Sequence, residues 1–480
     1  MAHYQTRADS KNLKLETKAI QSTLQIPVMI VAGVTSGVGK TTVAVSIMHA
    51  LREKKSLIVQ PFKVGPDFID PSYHSSVTGR DSRNLDVWMM GVKGVLNCFA
   101  NACKGADIAI VEGVMGLFDG MSGKDNFAST AHVAHILGAP VILVVDASKG
   151  ARSIAAIVLG FLRFDKNVKI AGVILNNVAS KRHASYLIDA FDDTINIPIV
   201  GIIERNKEIK MEERHLGLIP TQELQKSKQR AILKTAKYIS GFIDVDKIVS
   251  VCNNIQLKYA HTDSKSLAIR TRIAIALDES FNFYYADSLD ALERHGAELV
   301  FFSPVMQDTL PENIHGIMLG GGFPEVLADK LENNKSMMRS IKKAIQDGIP
   351  VYAECGGLMY LTRSIRGYEG EEMPRKMVGL IEADTLMTNK LTLGYAEAES
   401  NGPIFGKAHL RGHEFHYSKL ENIAQDCKFA YSMKRGKGIL DGKDGFIIND
   451  NGLAAYMHLH FSSSKLADRM VCSCIRYSRR

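Results

Sequence analysis

The chain of 480 residues has one tryptophan, no cysteine pair at CxxC spacing, and no apolar run near the roughly 18–20 residues a membrane span needs. A membrane-spanning segment is therefore not expected. The stretch Met1–Gln25 is polar and mixed in charge, without the apolar core and small-residue cleavage site of a secretory signal, so it reads as a tail. The seven cysteines (Cys98, Cys103, Cys252, Cys355, Cys427, Cys472 and Cys474) are odd in number and scattered, which argues against a disulfide framework or a structural zinc site. A reducing cytoplasm fits this usage. Cys472 and Cys474 would supply two metal ligands but lack a second pair. No period of about 20–50 residues recurs, which excludes a solenoid. Basic residues are in excess, with a formal charge of +8, yet they are spread along the chain and not gathered in a stripe. That balance suits an anionic small-molecule substrate and gives nucleic-acid binding little support.

The length predicts two domains joined by a connector. From Pro27, short β-branched runs alternate with helical segments, as in parallel sheets covered on both faces. Val28–Ala32, Ala106–Glu112, Val141–Asp146, Ile170–Asn176 and Ile199–Ile202 read as buried strands. A second series begins at Arg272–Asp278 and continues through Glu298–Phe302, Gly316–Leu319 and Pro350–Glu354. The expected architecture is α/β, two tandem doubly wound domains. Its bounds are a tail over 1–26, a nucleotide-type domain over 27–220, a Lys/Gln-rich helical connector over 221–270, and a second domain over 271–480. The sequence leaves the oligomeric state open.

Directly after the first strand stands Gly33-Val34-Thr35-Ser36-Gly37-Val38-Gly39-Lys40-Thr41-Thr42, followed at once by a helical pattern. Glycines let successive backbone N–H groups turn toward phosphate oxygens, a lysine offsets their charge, and a hydroxyl helps hold Mg²⁺. Gly37, Gly39, Lys40, Thr41 and Thr42 are thus the candidates for ATP. Five residues separate Gly33 from the Gly39-Lys40 pair, one more than in the strict motif. Partition-type ATPases carry a further lysine near position 35, where this chain has Thr35. Carboxylates follow on two loops: Glu112 and Asp119 in Glu112-Gly-Val-Met-Gly-Leu-Phe-Asp119-Gly120, and Asp67 and Asp70 in Lys63-Val-Gly-Pro-Asp67-Phe-Ile-Asp70-Pro71. Such acids at strand ends suit a magnesium nucleotide, although turn and cap roles are equally open to each.

In the second domain, Pro350-Val-Tyr-Ala-Glu-Cys355-Gly356-Gly357 reads as strand, sharp turn and helix, with Cys355 at the turn. A helix N-terminus there would favour the thiolate. His458 and His460 are the candidate bases, with His458 preferred. Backbone N–H groups of Gly321, Gly322 and Gly356 are candidates for an oxyanion site.

These motifs, together with Arg411-Gly-His413-Glu414-Phe-His416, occur in an order that resembles the family of corrinoid and related tetrapyrrole amidases, along nearly the whole chain after its first two dozen residues. The first domain is similar to dethiobiotin synthetase and the second to class I glutamine amidotransferases. The resemblance implies amidation of the a- and c-side-chain carboxylates of cobyrinate, with ATP, Mg²⁺ and L-glutamine. The carboxylate would be activated as an acyl phosphate. Lys40 and Thr41 would then serve ATP and Mg²⁺, with Glu112 and Asp67 near the metal and the transferred phosphoryl group. Asp70 and Asp119 would act in catalysis, in roles the sequence does not separate. Cys355 would attack the glutamine amide while His458 moves protons. The general class I pattern places a glutamate two residues after the histidine; His460 stands there, which leaves the orienting group unassigned. The Arg411–His416 signature is expected near the domain interface. Ni-sirohydrochlorin is the alternative acceptor. A reading of a different class is a nucleotide-driven partition or metallochaperone switch with a non-catalytic second domain; Thr35 and the Cys355/His458 pair count against it.

Overall fold

Val28–Ala32 are fully buried, and their alternate side chains enter two different cores: Val28, Ile30 and Ala32 one, Met29 and Val31 the other. A strand covered on both faces needs this continuous apolar run. The computed structural model describes residues 19–192, 194–206, 222–262, 269–367, 373–462 and 465–480. Its first sheet comprises β1 (Ala19–Gly33), β2 (Val59–Val64), β3 (Arg83–Leu85), β4 (Ile108–Gly116), β5 (Val141–Asp146), β6 (Ile170–Val178), β7 (Ile199–Glu204) and β8 (Asn253–Thr262). The order β3-β2-β4-β1-β5-β6-β7 is parallel throughout, and β8 pairs antiparallel with the first half of β1.

The structure differs from the sequence expectation in two segments. The segment up to residue 26 is not all tail, because β1 begins at Ala19 and runs in register with β8 from Ala19↔Thr262 to Val28↔Asn253; residues 1–18 lie outside the described residues. Nor is the connector purely helical. Helices Gln222–Ile239 and Val245–Val251 form, but β8 follows them. Ile232, Ala236, Ile239, Ile243, Val245 and Ile248 are buried in the same core as Val45, Met48 and Ala50. The helical stripe Ile232, Ala236, Ile239 packs on the helix Lys40–Lys55, and Ile255, Leu257 and Tyr259 alternate inward on β8.

The second sheet comprises β9 (Thr271–Ala276), β10 (Ala297–Phe302), β11 (Gly316–Leu319), β12 (Val351–Glu354), β13 (Thr362–Arg366), β14 (Arg375–Lys376), β15 (Ile381–Gly402), β16 (Gly406–Glu421), β17 (Phe429–Arg435), β18 (Lys443–Ile448), β19 (Gly452–Ala455) and β20 (His458–Leu459). Its parallel part, β10-β9-β11-β12-β19, matches the expected series and makes the whole a tandem of α/β units. The antiparallel part, built around the β15–β16 hairpin, was not foreseen.

That hairpin meets the first domain. The single tryptophan, Trp88, donates from Nε1 to Ala396 O at 3.3 Å, and the guanidinium carbons of Arg411 and Arg435 lie 4.7 and 5.7 Å from its ring centroid. Tyr395 Oη donates to Asp86 Oδ2 at 2.9 Å, and Arg83 pairs with Asp290 at 2.7 Å. The Arg411–His416 signature therefore lies on this contact, as expected.

Candidate active site

Gly37 and Gly39 have φ of 77° and 90°, where a side chain would be strained, and a Cβ on Gly39 would stand 2.4 Å from Asn176 Nδ2. Asn176, at the end of β6, in turn donates to Val38 O at 2.9 Å. The loop leads into the helix Lys40–Lys55, whose N-terminus has no side-chain cap, the kind of helix end that suits an anion. Lys40 Nζ donates to Thr35 O at 3.1 Å, and Thr42, in the same first turn, accepts from Ser46 Oγ through its carbonyl.

Beside the loop, Glu112 is fully buried at the centre of a charged cluster. Its Oε1 accepts from Thr41 Oγ1 at 2.7 Å and Lys63 Nζ at 2.8 Å, and its Oε2 lies 2.6 Å from His74 Nε2. Lys63 also donates to Asp70 Oδ2 at 2.6 Å and stands 4.0 Å from Asp67 Oδ2. Burial alone would lower the Lys63 pKa, but Glu112, Asp70 and Asp67 outweigh it and hold the ammonium above its ordinary range. Asp67 Oδ1 accepts from the N–H groups of Ile69 and Asp70, which fixes the turn into the helix Ile69–Thr78. Asp119 has a different place: its Oδ2 accepts from Gly116 N at 2.9 Å and clamps the loop after β4. Thr41, Glu112, Asp67 and Asp70 thus converge around Lys63, while Asp119 shapes the adjoining loop.

In the second domain Cys355 sits between β12 and the helix Gly356–Leu361 with φ 47° and ψ −100°, a costly conformation of order 1–3 kcal/mol for a non-glycine residue. Cys355 N donates to Ala455 O at 2.7 Å and Gly357 N to Gly320 O at 3.0 Å, which hold the elbow against its neighbours. A Cβ on Gly357 would meet Leu319 O at 2.3 Å; one on Gly356 would meet Gly322 N at 3.0 Å. Gly322, at φ 153°, has no room for a Cβ, and the ring of His458 occupies the space over Gly321. The Gly320–Gly322 turn therefore has the cysteine elbow on one side and His458 on the other.

The Cys355 Sγ donates to Phe415 O at 3.5 Å. Burial pushes its thiol well above the ordinary range, and the Glu325 carboxylate adds to this, while the Gly356 N–H works the other way. The thiolate expected from the helix N-terminus is thus not favoured in this state, because desolvation outweighs one turn of helix. Burial also raises Glu325 to about 7 and lowers His416 to about 4 and His460 to about 3. His460 turns its Nδ1 to Ser462 Oγ at 3.0 Å and packs on Tyr285, so it does not take the place of an orienting carboxylate.

Some site residues were not singled out by the sequence. His74 was missed because nothing distinguishes it locally from a core histidine; its position four residues after Asp70 on one helix was the available signal. Glu354, adjacent to Cys355 in the chain, has Oε2 3.4 Å from His458 Nδ1. His413 stacks on His458 at 4.9 Å between centroids, and Phe68 on Phe283 at 4.8 Å.

Residues 29–219 match the CobQ/CobB/MinD/ParA nucleotide binding domain family, and residues 272–466 match the CobB/CobQ-like glutamine amidotransferase domain family. Among curated relatives, the cobyrinate a,c-diamide synthase of Caldanaerobacter subterraneus is 41% identical, covering 94% of this chain and 99% of its own length. That of Synechococcus sp. is 45% identical (90% and 95% covered), and that of Methanosarcina barkeri 40% (92% and 94%). Similarity of this depth, over nearly the full length of both partners, places the chain in the cobyrinate a,c-diamide synthase family, and it is accordingly an amide-forming ligase with glutamine as nitrogen donor.

Proposed function

We propose that the chain amidates the a- and c-side-chain carboxylates of cobyrinate, using ATP and L-glutamine, as a cytoplasmic enzyme of cobalamin biosynthesis. The observation that carries this reading is the like-named set of relatives at 40–45% identity over at least nine-tenths of this chain.

A carboxylate is a poor electrophile because oxide would have to leave. Attack of its oxygen on the γ-phosphorus of ATP gives an acyl phosphate and ADP; ammonia then attacks the acyl carbon and phosphate departs, with loss of a proton. The uncapped N-terminus of the helix Lys40–Lys55 and the Lys40 ammonium would hold the phosphates, and Lys63, kept protonated by its carboxylates, would offset charge on the transferred group. Mg²⁺ fits here: the Thr41 hydroxyl and Glu112 carboxylate are hard oxygen donors 2.7 Å apart, with Asp67 beside Lys63. Among the described residues no group of three His, Cys, Asp or Glu could by itself hold a metal ion. Such a donor set suits an ion that arrives with the nucleotide and keeps water and phosphate ligands. When bound, it would neutralise charge on the phosphates.

At the other site Cys355 would lose its proton to His458 and attack the glutamine amide carbon. His458 would return the proton to the leaving nitrogen, giving ammonia and a thioester that water hydrolyses to glutamate. The N–H groups of Gly321, Gly322 and Gly356 would serve the oxyanion, a role supported by the approach of Gly356 to Gly322. Ammonia must then cross to the acyl phosphate unprotonated. Phe68 stacks on Phe283 and meets Tyr285 at a tilt, and these rings put apolar surface between the two sites, which supports a dry passage.

The test is to offer cobyrinate and Ni-sirohydrochlorin separately, with ATP, Mg²⁺ and glutamine, and to weigh the products. Two successive losses of one oxygen for one NH on cobyrinate are expected. Amidation of Ni-sirohydrochlorin alone would overturn the choice of acceptor.

A further inference from the structure

We propose that Glu354, the residue immediately before the nucleophile, is the positioning carboxylate of His458. The inference rests on the reading of Cys355 and His458 as the pair that hydrolyses glutamine, and adds the third member that His460 does not supply.

Three observations carry it. First, Glu354 Oε2 stands 3.4 Å from His458 Nδ1, and neither ring nitrogen of His458 has a hydrogen-bond partner among the described residues. Second, the other oxygen is fixed from two sides: Glu354 Oε1 accepts from Tyr352 Oη at 2.6 Å and from Leu459 N at 2.9 Å. With Oε1 anchored to the residue after His458, the direction of Oε2 toward the imidazole is set by the backbone. Third, the topology makes the meeting unavoidable. β12 and β19 are adjacent and parallel, with Glu354 opposite Ala455. One strand ends in Glu354 and the cysteine elbow, and the next ends three residues short of His458.

A carboxylate at Nδ1 selects the tautomer that leaves Nε2 free as a base toward the thiol, and stabilises the imidazolium that forms when the thiol gives up its proton. The need is large here, because burial and Glu325 both disfavour the Cys355 thiolate. The other titratable groups facing His458 come from β16: His413, stacked at 4.9 Å, and His416. Burial lowers both from the ordinary imidazole range, and an imidazole carries no negative charge in either protonation state, so neither can replace the carboxylate.

The experiment compares Glu354→Gln, Glu354→Asp, Tyr352→Phe and Cys355→Ala in the full chain. It follows glutamine hydrolysis from pH 5 to 9, with ammonia-dependent amide formation at the other domain as a check on folding. Glu354→Gln is expected to lower kcat for glutamine by about 10²- to 10⁴-fold with little change in KM. The acid limb of its profile should move to lower pH, since the imidazolium loses its counter-charge. Glu354→Asp should restore part of the rate. Tyr352→Phe, which frees one anchor of Oε1, should give a smaller loss in the same direction. A Glu354→Gln protein with the unaltered kcat and acid limb overturns the proposal, as does equal loss of ammonia-dependent amidation, which would make the residue merely structural. Glutamine hydrolysis surviving in Cys355→Ala would instead overturn the underlying assignment of the pair.

Discussion

The ring of Phe68 lies 5.3 Å, centroid to centroid, from the imidazole of His458, across the boundary between the two domains. Its neighbours in the chain, Asp67 and Asp70, face Lys63 at the other site. One short loop thus touches both the charged cluster around Lys63 and the histidine beside the cysteine elbow.

Phe68→Ala should leave both half-reactions active but uncouple them. Removing the ring opens the wall toward Phe283 and Tyr285, so ammonia can leave to solvent and become ammonium. The ratio of glutamate to amide formed should rise severalfold above that of the unaltered protein. A ratio that stays the same would show that this ring does not bound the passage.

Cys355→Ala should abolish glutamine-dependent amidation and keep amidation with concentrated ammonia, because the proposed carboxylate activation uses residues of the other domain. Lys40→Ala should lose product with either nitrogen source. A Lys40→Ala protein that makes amide from ammonia at the normal rate would refute the phosphate-loop assignment.

Glu112→Gln keeps the shape of a residue that meets Thr41, Lys63 and His74 at once. Amidation should fall by at least about 10²-fold with either nitrogen source while glutamine hydrolysis survives. The loss of charge next to the buried Lys63 should also lower stability, by about 3–5 kcal/mol if Asp70 and Asp67 do not compensate. Denaturant titration beside the two assays separates these effects.

Asp86 gives a dependence on pH. Burial raises its carboxyl to about 6, against hydrogen bonds from Met89, Tyr395 and Trp88 that lower it. The folded state therefore holds this proton more tightly than the unfolded state. Its contribution is favourable below about pH 4 and is lost as pH rises through about 6. Asp86→Asn can keep the helix cap at Met89 N and removes this term. It should be more stable than the unaltered protein at pH 7, by up to about 3 kcal/mol, and the difference should shrink toward pH 4. Thermal unfolding at several pH values measures this; a constant difference would show that Asp86 does not titrate as described.

What the sequence revealed were features written in consecutive residues. The phosphate loop needs glycine at positive φ at positions 37 and 39, the cysteine elbow needs room at Gly356 and Gly357, and β1 needs an unbroken apolar run. The errors came where distant segments supplied the decisive partner. The segment before Pro27 looked like a tail because the pairing that makes it a strand comes from β8, more than 200 residues on. The connector looked purely helical because the strand that closes it, β8, is defined by its pairing with β1 far back in the chain.

By itself, then, the order of residues determined the two parallel-sheet units, the variant glycine loop and the cysteine at its turn, since backbone strain and short-range periodicity act between near neighbours. Tertiary structure alone decided that Glu354 faces His458, that Glu112 gathers Thr41, Lys63 and His74, and that Phe68 reaches from one site to the other. These are contacts between strand ends and loops whose approach depends on which strands lie side by side and on where the two domains touch. No local pattern encodes a distance of this kind, because charge and ring stacking act through space and not along the chain.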